Sequence, residues 1–206
     1  MTKNLIERLN EGPILCAEAY LFAMERRGYL QAGAFVPEVV LEHPEVVSQL
    51  HREFIRAGSD VVQAFTYYGH REKLRIIGKE NLLEPLQKNA LQIAKDARDE
   101  FKDLNLMVCG DVANTNIWDP NDKKSDLECQ KMFEEQVAWA KEAGVDFVIA
   151  ETITWLGEMR IALKAIKDAG LIAVCNFSIK RNSTTRDGYT PGDACKILED
   201  NGADVV

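Results

Sequence analysis

One phrase is written three times along this chain. Ala57-Gly58-Ser59-Asp60-Val61-Val62, Ala143-Gly144-Val145-Asp146-Phe147-Val148 and Asn201-Gly202-Ala203-Asp204-Val205-Val206 each follow an amphipathic segment. The glycine suits the left-handed position that ends a helix, and the β-branched run after it reads as a buried parallel strand. Helix, glycine and buried strand in repetition specify βα units wound one after another. The third copy occupies the last six residues, so a sixth strand begins there with nothing after it.

Strands are expected at 13–17, 60–65, 106–109, 146–150 and 171–175, and after Gly202. Helices are expected at 21–27, from His43-Pro44-Glu45 onward, at 82–101 and at 156–169. Two more are opened by the capping box Ser125-Asp126-Leu127-Glu128 and by Thr190-Pro191. Gly28 and Gly33 break the chain into a loop that includes Phe35. A doubly wound sheet would often carry a glycine-rich phosphate loop in its first βα turn, and Cys16-Ala17-Glu18-Ala19-Tyr20 has no glycine. An eight-stranded barrel fits better and normally needs about 250 residues. The fold class is therefore α/β, a (β/α)8 TIM barrel present as about its first six βα units. Residues 1–206 are read as one C-terminally incomplete domain. Two open sheet edges in such a unit predict self-association, a homo-oligomer.

Bulk properties exclude some classes. The net charge is -8 with no obvious basic face, which argues against a nucleic-acid partner. No apolar run approaches the ~20 residues of a membrane span, and residues 1–8 carry an acid, Glu7, and no long apolar core of the kind a secretory signal has. Cys16, Cys109, Cys129, Cys175 and Cys195 are odd in number and scattered, which suggests reduced thiols and a cytoplasmic protein.

Barrel active sites lie at the C-terminal strand ends. The residues expected there are Ala17, Glu18 and Ala19; Thr66, Tyr67 and Tyr68; Gly110, Asp111 and Asn114; Glu151 and Thr152; Asn176 and Ser178. Glu151 ends the apolar run Phe147-Val148-Ile149-Ala150, where a carboxylate is costly unless it is paired or functional. A functional role is the favoured reading, and a salt bridge to a loop Arg or Lys is the alternative. Tyr20, Phe35, Tyr67, Tyr68, Trp118 and Trp155 gather at the same ends, and such rings can hold a methylated onium cation or simply cover the barrel top. His51 reads as a helix-surface or helix-packing residue.

The stretches His43-Pro44-Glu45-Val46-Val47, Leu50-His51-Arg52-Glu53-Phe54, Arg56-Ala57-Gly58-Ser59 and Gln63-Ala64-Phe65-Thr66-Tyr67-Tyr68 closely resemble the homocysteine S-methyltransferase family, nearest to its betaine–homocysteine branch. Phe22-Ala23-Met24-Glu25-Arg26-Arg27-Gly28-Tyr29, Ile149-Ala150-Glu151 and Pro191-Gly192-Asp193 match the same branch. The resemblance implies zinc-dependent transfer of a methyl group from a methylated amine or sulfonium donor to the thiolate of homocysteine, giving methionine. It implies three zinc cysteines, one after strand six and two after strand eight, and none of the five cysteines here aligns with them. Glu151 matches the glutamate that holds the amino acid's ammonium, and Tyr68 the tyrosine that approaches zinc when substrate is absent. The family's Asp-Gly-Gly after strand one is Ala17-Glu18-Ala19 here, Phe35 stands where a pocket Trp is usual, and Thr152 stands where a Tyr is. The candidate substrate-binding residues are Glu151, Glu18, Ala17, Tyr68, Phe35, Thr66 and Thr152. Those departures leave a second reading open: a diverged barrel that binds a small amino acid, a methylated amine or a partner chain.

Overall fold

The computed structural model describes residues 3–30, 37–179 and 181–206; Phe35 and Lys180 lie outside them. Four parallel strands, β1 (Val61–Gln63), β2 (Met107–Ala113), β3 (Phe147–Ile153) and β4 (Ala173–Phe177), stand side by side in sequence order. The first and sixth expected strands shrink to single parallel bridges, Cys16 with Val61 and Val205 with Val174. Before β1 come helices α1 (Leu5–Leu9), α2 (Tyr20–Arg26), α3 (Val39–Glu42) and α4 (Pro44–Arg56). Then α5 (Arg71–Ile76) and α6 (Leu83–Asp99) join β1 to β2, α7 (Lys123–Ala143) joins β2 to β3, α8 (Leu156–Asp168) joins β3 to β4, and α9 (Pro191–Asp200) follows β4. Helices α1, α3 and α5 are additions to the expected set.

Strand alternation sorts the side chains onto two faces. Val62, Ala64, Val108, Val112, Val148, Ala150, Ala173 and Cys175 pack against Leu91 and Ala94 of α6, Phe133 and Val137 of α7, Met159 and Ile166 of α8 and Leu198 of α9. The crossover helices thus cover one face. A doubly wound sheet carries helices on both faces, and these strands are not arranged that way. The opposite face carries Val61, Met107, Cys109, Phe147 and Ile149, closed at the N-terminal side by Leu5 of α1.

The repeated phrase has a structural reason beyond its glycine. Gly58, Gly144 and Gly202 all have positive φ, at 104°, 73° and 93°. The Asp two residues on turns each time to the neighbouring strand: Asp60 Oδ2 accepts from Leu15 N (2.9 Å), Asp146 Oδ2 from Val108 N (2.7 Å) and Asp204 Oδ2 from Ala173 N (2.8 Å). Each carboxylate satisfies an amide at the start of a parallel strand and sets its register.

Several boundaries move. Strand β2 continues four residues past the expected end at Cys109, and β3 continues to Ile153. Strand β4 begins at Ala173, two residues later than expected. Helix α7 begins at Lys123, because Asp122 caps it first by accepting from Lys124 N at 2.9 Å. Ser125 therefore sits inside the first turn, where its hydroxyl donates to Asp122 O at 2.7 Å. Thr190 caps α9 as its sequence predicts, accepting from Asp193 N. No helix among the described residues is long and apolar enough to cross a membrane.

Candidate functional site

The face opposite the helices turns polar toward its C-terminal edge. Gln63 pairs in register with Cys109, and Asp111 lies two residues beyond it on β2. Asp111 is opposite Ile149, so Glu151 is its diagonal neighbour on the same face of β3. Gln63, Asp111 and Glu151 wall a cavity of about 250 Å³, with Glu18 and Tyr67 contributing from the loops, Tyr20 from the start of α2 and Thr152 from the end of β3. A wider groove of about 570 Å³ along α7 and α8 is lined by Asp126, Glu134, Arg160 and Lys164. Those are ordinary helix-surface charges, whereas the smaller cavity gathers the buried Asp111, the half-buried Glu151 and the exposed Glu18.

Within the cavity, Gln63 Nε2 donates to Glu151 Oε1 at 2.9 Å. Burial pushes the Glu151 carboxyl up and nearby Glu18 adds to it, against the Gln63 hydrogen bond that lowers it. Asp111 is driven well above the usual carboxylate range, first by burial and then by Glu151. Two adjacent carboxyl groups in such a place oppose each other's ionisation. Burial, the neighbouring Tyr68 hydroxyl and nearby charge raise Tyr67.

The loops that bring these groups together hold unusual backbone. Ala19 (φ 68°), Tyr68 (φ 57°) and Thr152 (φ 56°) occupy the left-handed region without being glycine. At Thr152 the pairing register of β3 against β4 breaks between Ala150 and Ile153, and the Thr152 hydroxyl donates to Glu151 O at 2.7 Å. This break turns Glu151 and Thr152 to the cavity together. After β1, Gly69 N donates to Thr66 O at 2.7 Å, and a Cβ on Gly69 would lie 2.8 Å from that oxygen, so only glycine fits the turn. Thr66 itself is buried and is not among the residues that line the cavity; it donates its hydroxyl to the backbone oxygen of Asp111 at 2.9 Å, which ties the chain after β1 to β2.

Of the residues chosen from sequence, Glu151, Glu18 and Thr152 line the cavity. Ala17 is buried among Tyr20, Met24 and Phe65, on the other side of the chain from Glu18. Tyr68 stands beside the cavity: its ring lies against Tyr67 (4.2 Å between centroids) and under Lys73 Nζ at 4.1 Å. Phe35 is outside the described residues. The aromatic side chains do not form a single cluster. Tyr20 and Tyr67 line the cavity, while Trp118 and Trp155 pair edge-to-face at 5.3 Å elsewhere, with Arg186 over Trp155. The cationic positions on Tyr68 and Trp155 are taken by the protein's own Lys73 and Arg186. His51 packs inside: its Nδ1 lies 3.0 Å from the Tyr20 hydroxyl, and burial lowers it to about 3.

Sequence reasoning passed over Gln63 and gave Asp111 no role. The signal for Asp111 was present as a lone acid inside Met107-Val108-Cys109-Gly110-Asp111-Val112-Ala113. It was hidden by ending the strand at Cys109.

Among the described residues no group of three His, Cys, Asp or Glu side chains is placed to hold a metal ion. The five cysteines are free thiols, with Cys109, Cys129 and Cys175 buried. Burial raises Cys129 and Cys175 to about 12 each, which keeps them protonated and poor ligands. The described residues therefore do not assemble a zinc site.

Residues 19–206 match the homocysteine S-methyltransferase family. Betaine–homocysteine S-methyltransferase 1 of Sus scrofa is 35% identical over 209 residues, covering 99% of this chain and 73% of that protein. The Bos taurus protein of the same name is 34% identical over 99% of this chain, which spans only 50% of that protein's length. In fold, the chain is similar to the metallated form of the homocysteine methyltransferase MmuM from Escherichia coli. The TM-score is 0.79 at 20% identity, over 95% of this chain and 73% of that one. On the match over residues 19–206 and the identity across nearly the whole chain, the protein belongs to the homocysteine S-methyltransferase family.

Proposed function

We propose that this chain is the amino-acid-binding part of an S-methyltransferase that moves a methyl group from a methylated onium donor to the thiolate of homocysteine, giving methionine. The observation that carries the reading is Glu151: a half-buried carboxyl, oriented by Gln63, facing a cavity with no Lys, Arg or His among its described lining residues. Such a carboxyl attracts the ammonium of an amino acid and orients its side chain. In the transfer, the sulfur–carbon bond forms as the donor's onium–carbon bond breaks, and the bonding pair stays on the donor's nitrogen or sulfur, which loses its positive charge. The sheet belongs in this proposal as part of a (β/α)8 barrel wall, with residues 1–206 in one domain. Its support is the sequential strand order and the crossover helices on one face. Zinc enters the proposal only through the family and the metallated relative, and no step is derived through it. Free, scattered thiols support a cytoplasmic location. Outer segments bridged on a single side among the described residues support a homo-oligomer, which light scattering checks.

Calorimetry with L-homocysteine tests the central claim. Glu151→Gln is expected to lose amino-acid binding while keeping the wild-type circular dichroism. Undiminished binding removes Glu151 from the site. A second reading, binding without transfer, draws on Ala17 and Ala19 standing where the family carries Asp and Gly. Thermal shift of the full-length protein separates the two: zinc with homocysteine stabilises a transferase, and a binder that has lost thiol activation ignores the pair.

A further inference from the structure

One side chain in the cavity has no partner to explain it. Asp111 is 3% exposed, and among the described residues neither of its carboxyl oxygens receives an N–H or hydroxyl donor. It faces the same cavity as Glu151. A buried polar group left this way needs either a proton of its own or a ligand.

We propose that Asp111 and Glu151 form a one-proton carboxyl pair that seats the primary ammonium of an amino-acid ligand, whose arrival expels the shared proton to solvent. The inference rests on the reading of Glu151 as the ammonium-binding residue and adds a second carboxyl with a different task. In the empty cavity the proton relieves the repulsion between the two groups. An incoming ammonium supplies the positive charge in its place, so Asp111 ionises and both carboxylates accept N–H bonds. The other titratable groups facing Asp111 are Glu18 from the loop after the first strand segment, Cys16 from that segment, Cys109 on β2 and Tyr67 after β1. All are acids, so none supplies the neutralising charge. The unpartnered oxygens select for a nitrogen that carries hydrogens. A trimethylated nitrogen offers none and is better served by an aromatic face.

L-Methionine is the suitable probe, because it carries the ammonium and carboxylate of homocysteine and has no thiol to titrate. Calorimetry of the full-length protein in phosphate and in Tris, whose ionisation heats differ, counts the protons released. Wild type is expected to release about one proton near neutral pH, with affinity climbing by up to about tenfold per pH unit. Asp111→Asn imitates the protonated acid, so it is expected to bind at the wild-type low-pH affinity with no buffer-dependent heat. 4-(Methylthio)butanoate, which lacks the ammonium, is expected to bind more weakly and release no proton. Wild-type binding heats that do not depend on the buffer overturn the inference without recourse to any variant. Equal proton release in wild type and Asp111→Asn, with Glu151→Gln unable to bind, overturns the role of Asp111 and leaves that of Glu151. Full binding by Glu151→Gln removes both.

Discussion

Replacing Ala19 by glycine should make the protein more stable, the reverse of the usual effect of adding a glycine. Ala19 is the residue before α2 and holds φ 68° and ψ 24°, with no side-chain cap. The left-handed conformation costs a residue with a Cβ about 1–2 kcal/mol, and glycine escapes that cost. Glycine also loosens the unfolded chain, which gives back about 0.4–1 kcal/mol. The Ala19 side chain is exposed, so removing its methyl group opens no void in the core. The difference is a gain of about 0.5–1 kcal/mol, or about 1–4 °C in Tm for a chain of this size. Urea unfolding followed by far-ultraviolet circular dichroism measures it, with the slope m expected to be unchanged. The matched control is Ala23→Gly inside α2, where the backbone is helical and the same exchange should cost about 1 kcal/mol. If both variants lose stability alike, strain at Ala19 is not what distinguishes it.

Gly157 is the second residue of α8, and a Cβ there would lie 2.4 Å from Trp118 Cζ2. Gly157→Ala is expected to cost about 1–3 kcal/mol and to change the near-ultraviolet dichroism of the Trp118–Trp155 pair; an unaltered spectrum with unaltered stability contradicts this packing. His51 stays neutral in the fold down to about 3, against an ordinary value of 6.5, because it is buried. Its folded value is depressed, so the unfolded chain gains the proton first and stability falls as pH drops below 6.5. At about 1.36 kcal/mol per unit, the loss from this residue reaches about 2 kcal/mol by pH 5. His51→Gln takes up no proton and should close the stability gap to wild type by about that amount between pH 7 and pH 5. Parallel pH profiles from urea unfolding would show that His51 is not the group titrating.

How far the residues reveal the architecture differs from element to element. The glycines of the repeated phrase announced the helix ends because a positive φ is a property of the residue itself. The strands after Gly58 and Gly144 were legible from their β-branched and apolar runs, whereas the run after Gly202 forms only a single bridge. What the Asp in each phrase does was not legible, since its partner amide lies on a neighbouring strand 31 to 45 residues away in the chain. The candidate site divides the same way. Glu151 stood out as an acid directly after four apolar residues. Asp111 did not, because its meaning depends on β2 running four residues further and on its register against β3. The left-handed backbone at Ala19 and Thr152 was also out of reach, since it runs against the preference of both residue types. The aromatic residues are recognisable by their places near strand ends, but the cations over two of them, Lys73 on Tyr68 and Arg186 on Trp155, come from positions that only the fold brings close.

Asp187 accepts hydrogen bonds from Leu156 N and Gly157 N, both at 3.1 Å, from a loop some thirty positions downstream. The amino end of α8, just past β3, is where a fold of this kind would ordinarily welcome a phosphate or a carboxylate. Here that welcome is spent on a tether of the protein's own making. A ligand that arrives with a negative group must therefore find its donors on some other part of the rim, and competing anions are turned away from this one.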